Sequence, residues 1–163
     1  MKTLAEQLGN YAAYHRDRRN IETHFIGIPM IVLGVATLLS RAGIEIGGVT
    51  ITPALIVAVI ATVYYLKLDL RYGLAMAVML AACLVIAGLL SDGEQLTWLS
   101  WGIGLFVAGW VFQFVGHLYE GRKPAFVDDI MGLAIGPLFV MAEAGFLLGL
   151  RRDLQQKIAA HPY

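Results

Sequence analysis

Long apolar blocks alternate with short polar ones along this chain. A polar stretch over about residues 1–20 gives way to apolar runs at about 21–40, 49–66, 74–90, 96–116 and 130–150, with connectors such as RAGIEIGG, KLDLRYG and SDGEQ between them. Each run is near the roughly 20 residues a helix needs to cross a hydrocarbon core about 30 Å thick. Lipid offers backbone amides no partners, so such runs are expected as helices. The expected fold is all-α: a polytopic membrane helix bundle forming one integral membrane domain over 1–163, with four full spans and a fifth segment. Pro29 falls in the early turns of the first run, where a missing amide is tolerated. The fifth segment holds Pro137 and Glu143, and it either crosses or breaks near Pro137 and re-enters.

Before the first run, Leu4, Leu8, Tyr11 and His15 recur at helical spacing. This predicts a short amphipathic helix on the membrane surface, with Tyr11 and Tyr14 at headgroup level. Asn20 reads as the N-cap of the helix that follows. His15 and His24 would lie on opposite faces of one unbroken helix, so they converge only if the chain turns at Asp17 to Asn20. Four crossings later, His117 returns to the same side in the polar stretch QFVGHLYEGRKPAFVDD. Trp98 and Trp101, and on the other side Tyr64, Tyr65, Tyr72 and Tyr119, fit two interfacial belts. Gly132 with Gly136, and Gly145 with Gly149, read as packing glycines.

Composition agrees with the pattern: 58% of residues are hydrophobic and 15% charged, against about 25% charged in soluble domains. The lipid bilayer is an expected partner and nucleic acid is not; the zero formal net charge does not bear on that. The single cysteine, Cys83, excludes an intrachain disulfide and a cysteine-based metal site. No signal-peptide pattern precedes the first span, which is expected to insert and stay. Lys2, Arg16, Arg18, Arg19, Lys67, Arg71, Arg122 and Lys123 fall on one side and Arg41 on the other, which places the histidines in the cytoplasm. Arg151, Arg152 and Lys157 argue for a cytoplasmic tail too, which five full crossings would forbid. The Ala- and Gly-rich chain is expected in a bacterial inner membrane; an oligomer is left open.

Three histidines on one side, with carboxylates near, form a candidate metal site, and imidazole suits Zn, Cu, Fe and Ni. Gln113, His117 and Glu120 share a face if their helix continues, and Asn20 with His24 forms an i, i+4 pair. These polar residues and Glu143 are candidates for a further ligand or for the shell behind the ligands. The alternative for each histidine is an interfacial polar side chain without a ligand; His161 reads as a solvated tail residue. Glu143 must face protein, water or metal. Arg122 and Lys123 set topology, bind lipid phosphates or hold a substrate carboxylate.

QLGNYAAYHRDRRN with His15, the following His24 and GIP, GHLYEGRKPA around His117, and GPLFVMAE ending at Glu143 together resemble the Mpo-like membrane proteins, a family of Fe(II)-dependent 2-hydroxy fatty acid dioxygenases. The resemblance covers most of the chain. It implies iron held by His15, His24 and His117, and one round of α-oxidation: a 2-hydroxy fatty acid and O2 give a fatty acid one carbon shorter and CO2. A small non-enzymatic membrane scaffold or lipid-binding protein is the competing reading. A di-iron membrane hydroxylase would need roughly twice these histidines.

Overall fold

The first helix opens on a reciprocal cap. The Thr3 hydroxyl accepts from the Glu6 amide at 3.3 Å, and the Glu6 carboxylate accepts from the Thr3 amide at 2.6 Å. Two donors that a helix start leaves open are thereby satisfied. The computed structural model describes residues 2–160, so His161 lies outside the described residues. After α1 (Leu4–Ala12) come α2 (Arg18–Ser40), an antiparallel hairpin of β1 (Ile44–Ile46) and β2 (Val49–Ile51), α3 (Pro53–Leu68), α4 (Leu70–Ser91), α5 (Gln95–Glu120), a 3-10 turn (Ala125–Val127), α6 (Gly132–Leu147) and α7 (Arg152–Ala159).

Among the described residues three helices, α2, α4 and α5, are long and apolar enough to cross a membrane, or four spans if the bent pair α6–α7 counts as one. The expected four full spans plus a fifth exceed the three to four that length and composition support, and α3 is a shorter apolar helix. The second expected span is shortened from its start because Val49–Ile51 is a strand. Thr52 then caps a new helix, accepting from the Leu55 amide at 3.1 Å, and Pro53 opens it. The 16 residues of α3 extend only about 24 Å at 1.5 Å per residue. The connector expected as a plain turn carries β1, closed on β2 through Gly47 and Gly48 at φ 60° and 82°. Two successive positive φ angles are what a tight two-residue hairpin requires.

Pro29 sits in the middle of α2 and not in its early turns, because α2 begins already at Arg18. Pro137 does not break α6, which runs on to Leu147. The chain instead swings through 118° between α6 and α7, where Gly149 and Arg151 take φ 74° and 52°. A proline near a helix start removes one hydrogen bond, whereas left-handed residues end the helix outright.

The described residues up to Ile28, with those from Phe112 onward, pack as one unit. Here α1 lies against α6 and α7. Leu4, Leu8 and Tyr11 of α1, Ile135, Leu138 and Phe139 of α6, and Leu154 and Ile158 of α7 are buried. The expected surface helix thus buries its stripe, Tyr11 included, in protein. Gly136 permits the approach: a Cβ there would stand 3.0 Å from the Tyr11 hydroxyl and 3.1 Å from Ile28 Cδ1.

Pro29–Val111 form the second unit. Asp69 joins α3 to α4, accepting from the Tyr72 amide at 3.0 Å. A Cβ at Gly73 would come within 2.6 Å of Leu66 Cα, so the two helices meet closely at their junction. Tyr65 and Tyr72 are buried by this packing. The Trp98 indole donates to the Thr37 carbonyl at 2.8 Å, and the Arg41 guanidinium lies 5.1 Å over the Trp98 ring.

Candidate metal centre

The polar stretch after α1 reverses tightly. The Tyr14 amide donates to the Tyr11 carbonyl and the His15 amide to the Ala12 carbonyl. Asp17 then starts α2 by accepting from the Arg19 amide at 2.8 Å. Asp17, not Asn20, is therefore the capping residue, and the break falls earlier than expected. Asn20 is completely buried in the first turn. The reversal brings His15 to His24, with ring centroids 4.4 Å apart, and both meet His117 at 4.9 and 5.1 Å. All three are buried, and one nitrogen of each lies within 4.8 Å of the others.

Tautomers decide what this cluster can hold. His15 Nδ1 is 2.7 Å from the Tyr11 carbonyl oxygen, and His24 Nδ1 is 2.8 Å from that of Asn20. A carbonyl oxygen only accepts, so both Nδ1 atoms are assigned the proton. Both Nε2 atoms are then lone pairs, and they face each other at 2.9 Å. Two neutral rings in this state have no proton to share, and the facing lone pairs repel unless a cation lies between them. Protonating a ring is opposed: burial first, and the neighbouring His24 second, push the His15 pKa down to about 2. Nδ1 of His117 is buried without a hydrogen-bond partner. Three neutral imidazoles, two of them oriented through Nδ1–H, are a donor set suited to a first-row divalent metal. No carboxylate belongs to the group.

Glu120 has another task. It accepts from the Arg16 amide at 3.0 Å, the Asp17 amide at 2.8 Å and the Asn20 side-chain amide at 3.0 Å. One carboxylate at the end of α5 therefore clamps the loop behind His15 and also Asn20, whose carbonyl orients His24. Loss of such outer partners typically lowers metal affinity about 10- to 100-fold. Glu120→Ala is expected to do so in a metal titration, with Glu120→Gln falling between it and the parent.

Gly116 sets the spacing of the same two helices. A Cβ there would stand 2.2 Å from Thr23 Oγ1 and 2.4 Å from Asn20 Oδ1. Overpacking of this kind costs about 1–3 kcal/mol. Gly116→Ala should lower the unfolding free energy by that amount and weaken metal binding, both read from denaturant titrations with and without metal.

The Tyr11 ring stacks on His15 at 4.2 Å and 6°, and Phe139 lies 5.5 Å from the same imidazole; the helical stripe alone does not predict this contact. Its usable signal was position: Tyr11 precedes His15 by four residues, as Asn20 precedes His24, and in each pair the earlier carbonyl holds the later ring. Gln113 is buried with its Nε2 unpaired. Glu143 is half-buried on α6 and outside the group of metal-capable atoms. Arg122 donates to the Ala13 carbonyl at 3.0 Å, and Lys123 to Asp128 at 2.5 Å. With Lys2, Tyr11, Tyr14 and Ile135 they line a cavity of about 780 Å³. Tyr11 therefore touches both the cavity and the imidazole cluster.

A family model described as 2-hydroxy-palmitic acid dioxygenase Mpo1-like matches residues 1–147. The chain is also 35% identical over 154 residues to the 2-hydroxy-palmitic acid dioxygenase MPO1 of Saccharomyces cerevisiae, covering 93% of this chain and 85% of that protein. No solved structure matches.

Proposed function

The chain belongs to the 2-hydroxy-palmitic acid dioxygenase Mpo1-like family, and on that premise we propose that it is a membrane non-haem iron dioxygenase acting on 2-hydroxy long-chain fatty acids. The reaction balances as one 2-hydroxy acid and one O2 giving a fatty acid one carbon shorter, CO2 and water. The observation that carries this reading is the pair of imidazole lone pairs held face to face at 2.9 Å. Iron(II), when bound, would supply open coordination positions and relay electrons, the four that O2 takes up coming from the 2-hydroxy acid itself.

His15, His24 and His117 are the proposed ligands and, through the metal, the catalytic set. Being neutral, they leave the positive charge available to an anionic substrate. The Tyr11 and Phe139 rings cover His15 and keep water from that side. Glu120 and Asn20 position two of the ligands. Gln113, four residues before His117 on the same helix face, offers an unpaired amide donor to a substrate oxygen. Arg122 and Lys123 receive the substrate carboxylate in the cavity beside Tyr11. The apolar helices α2, α4 and α5 give the hydrocarbon tail a lipid setting, and the excess of lysine and arginine on the histidine side supports a site facing the cytoplasm, in a bacterial inner membrane on this reading.

Metal content tests the reading. Protein purified anaerobically without chelators and supplied with Fe(II) should retain one iron per chain by elemental analysis. A chain that binds no divalent metal under these conditions would favour the non-enzymatic scaffold.

A further inference from the structure

We propose that the β1–β2 hairpin is a lipid-facing wedge, whose aliphatic face rests on acyl chains just beneath the headgroups; this builds on the membrane reading above. The strands pair Ile44 with Ile51, Glu45 with Thr50 and Ile46 with Val49. Directly opposed residues share a face, and so do residues two apart along a strand. Ile44, Ile46, Val49 and Ile51 therefore form one wholly aliphatic face. Glu45 and Thr50 take the other, where the Thr50 hydroxyl donates to the Glu45 carboxylate. Ile44, Ile46 and Val49 are 71%, 62% and 55% exposed.

Water is a poor surrounding for this element. A lone two-stranded hairpin is marginal in water, and an aliphatic strand with open edges invites aggregation. The hydrocarbon interior is excluded too, because unpaired strand edges would find no hydrogen-bond partners there. The layer between them meets both needs: headgroups and water satisfy the edges while acyl chains cover the aliphatic face.

The base of the hairpin fits that depth. Arg41, the first residue after α2, lies 5.1 Å over the Trp98 ring and donates to the Gly93 carbonyl at 3.2 Å. Tryptophan is enriched where hydrocarbon meets water, and an arginine beside it keeps its head in the polar layer. Beyond the hairpin, α3 continues the exposed aliphatic run with Ile56, Val57 and Ile60. A protein partner fits less well: four side chains offer on the order of a few hundred Å², against about 800 Å² per partner in a stable interface.

Spin-label accessibility in liposomes of phosphatidylcholine and phosphatidylglycerol tests the placement. In the full chain with Cys83→Ala, labels go on single cysteines made by Ile46→Cys, Thr50→Cys and Val78→Cys, the last on an exposed aliphatic position of α4. The ratio of collision with O2, which concentrates in lipid, to collision with a water-soluble nickel chelate should be several-fold higher at 46 than at 50, and highest at 78. If 46 matches 50 while 78 stays in lipid, the hairpin projects into water, so the proposal falls and the membrane reading stands. If 46 is shielded from both reagents, protein covers the face and the proposal also falls. An aqueous result at 78 would overturn the membrane reading and the wedge together.

Discussion

His117→Ala is expected to lose stoichiometric iron and turnover together while the helices remain folded. The imidazole lies at the end of α5, and its buried Nδ1 has no hydrogen-bond partner among the described residues. What the substitution removes is one of three converging donors, leaving His15 and His24 as an incomplete pair. Ligand linkage makes the difference measurable without an activity assay. A metal at 100 times its Kd stabilises the native state by about 2.7 kcal/mol. The parent should therefore show a metal-dependent rise in melting temperature, and His117→Ala should show none at the same concentration. Circular dichroism checks that the helix content is retained. An iron-replete, active His117→Ala protein would show that the three-imidazole assignment is wrong.

The polar clusters were legible in the sequence, but their partners were not. The nine-residue interval between His15 and His24 demanded a break, and a break exists. Its position was misread because Asp17 and Asn20 are both good capping residues, and local preference does not choose between them. The choice is made by Glu120, a hundred or more positions away, whose carboxylate takes the loop amides and the Asn20 side chain. The same residue explains why a carboxylate three positions from His117 proved close to the site without joining the metal-capable group. The Arg16 and Asp17 amides take it up instead, and such charge-assisted bonds are strong.

Helix periodicity identified the buried stripe of α1 but could not say what covers it. Lipid and the apolar faces of α6 and α7 satisfy the same pattern, and the packing of α1 selects protein. Val49–Ile51 failed for a different reason: a short apolar run fits helix or strand equally well by hydropathy. Gly47 and Gly48 between flanking β-branched residues were the available hairpin signal. The end of α6 turned on backbone geometry. Pro137 was the visible breaker, whereas Gly149 and Arg151 carry the left-handed angles that reverse the chain.

A 2-hydroxy long-chain acid should be shortened by one carbon in the presence of O2 and Fe(II), and the 3-hydroxy isomer should not. The carboxylate and hydroxyl oxygens of the 2-isomer are spaced so that they would close a five-membered ring on a single cation held by the three imidazoles. Moving the hydroxyl by one carbon enlarges that ring and carries the bond to be broken away from the imidazole cluster. A misplacement of about 1 Å costs a rate factor on the order of a hundredfold. Tail length should matter less, because each methylene in an apolar setting discriminates by only about 1 to 3 kcal/mol. Aerobic and anaerobic incubations with both isomers, followed by mass spectrometry of the fatty acids, read the outcome directly. The shortened acid should appear only from the 2-isomer and only with O2. If iron is bound and no 2-hydroxy acid yields an oxygen-dependent shortened product, the dioxygenase assignment fails while the three-imidazole metal site stands.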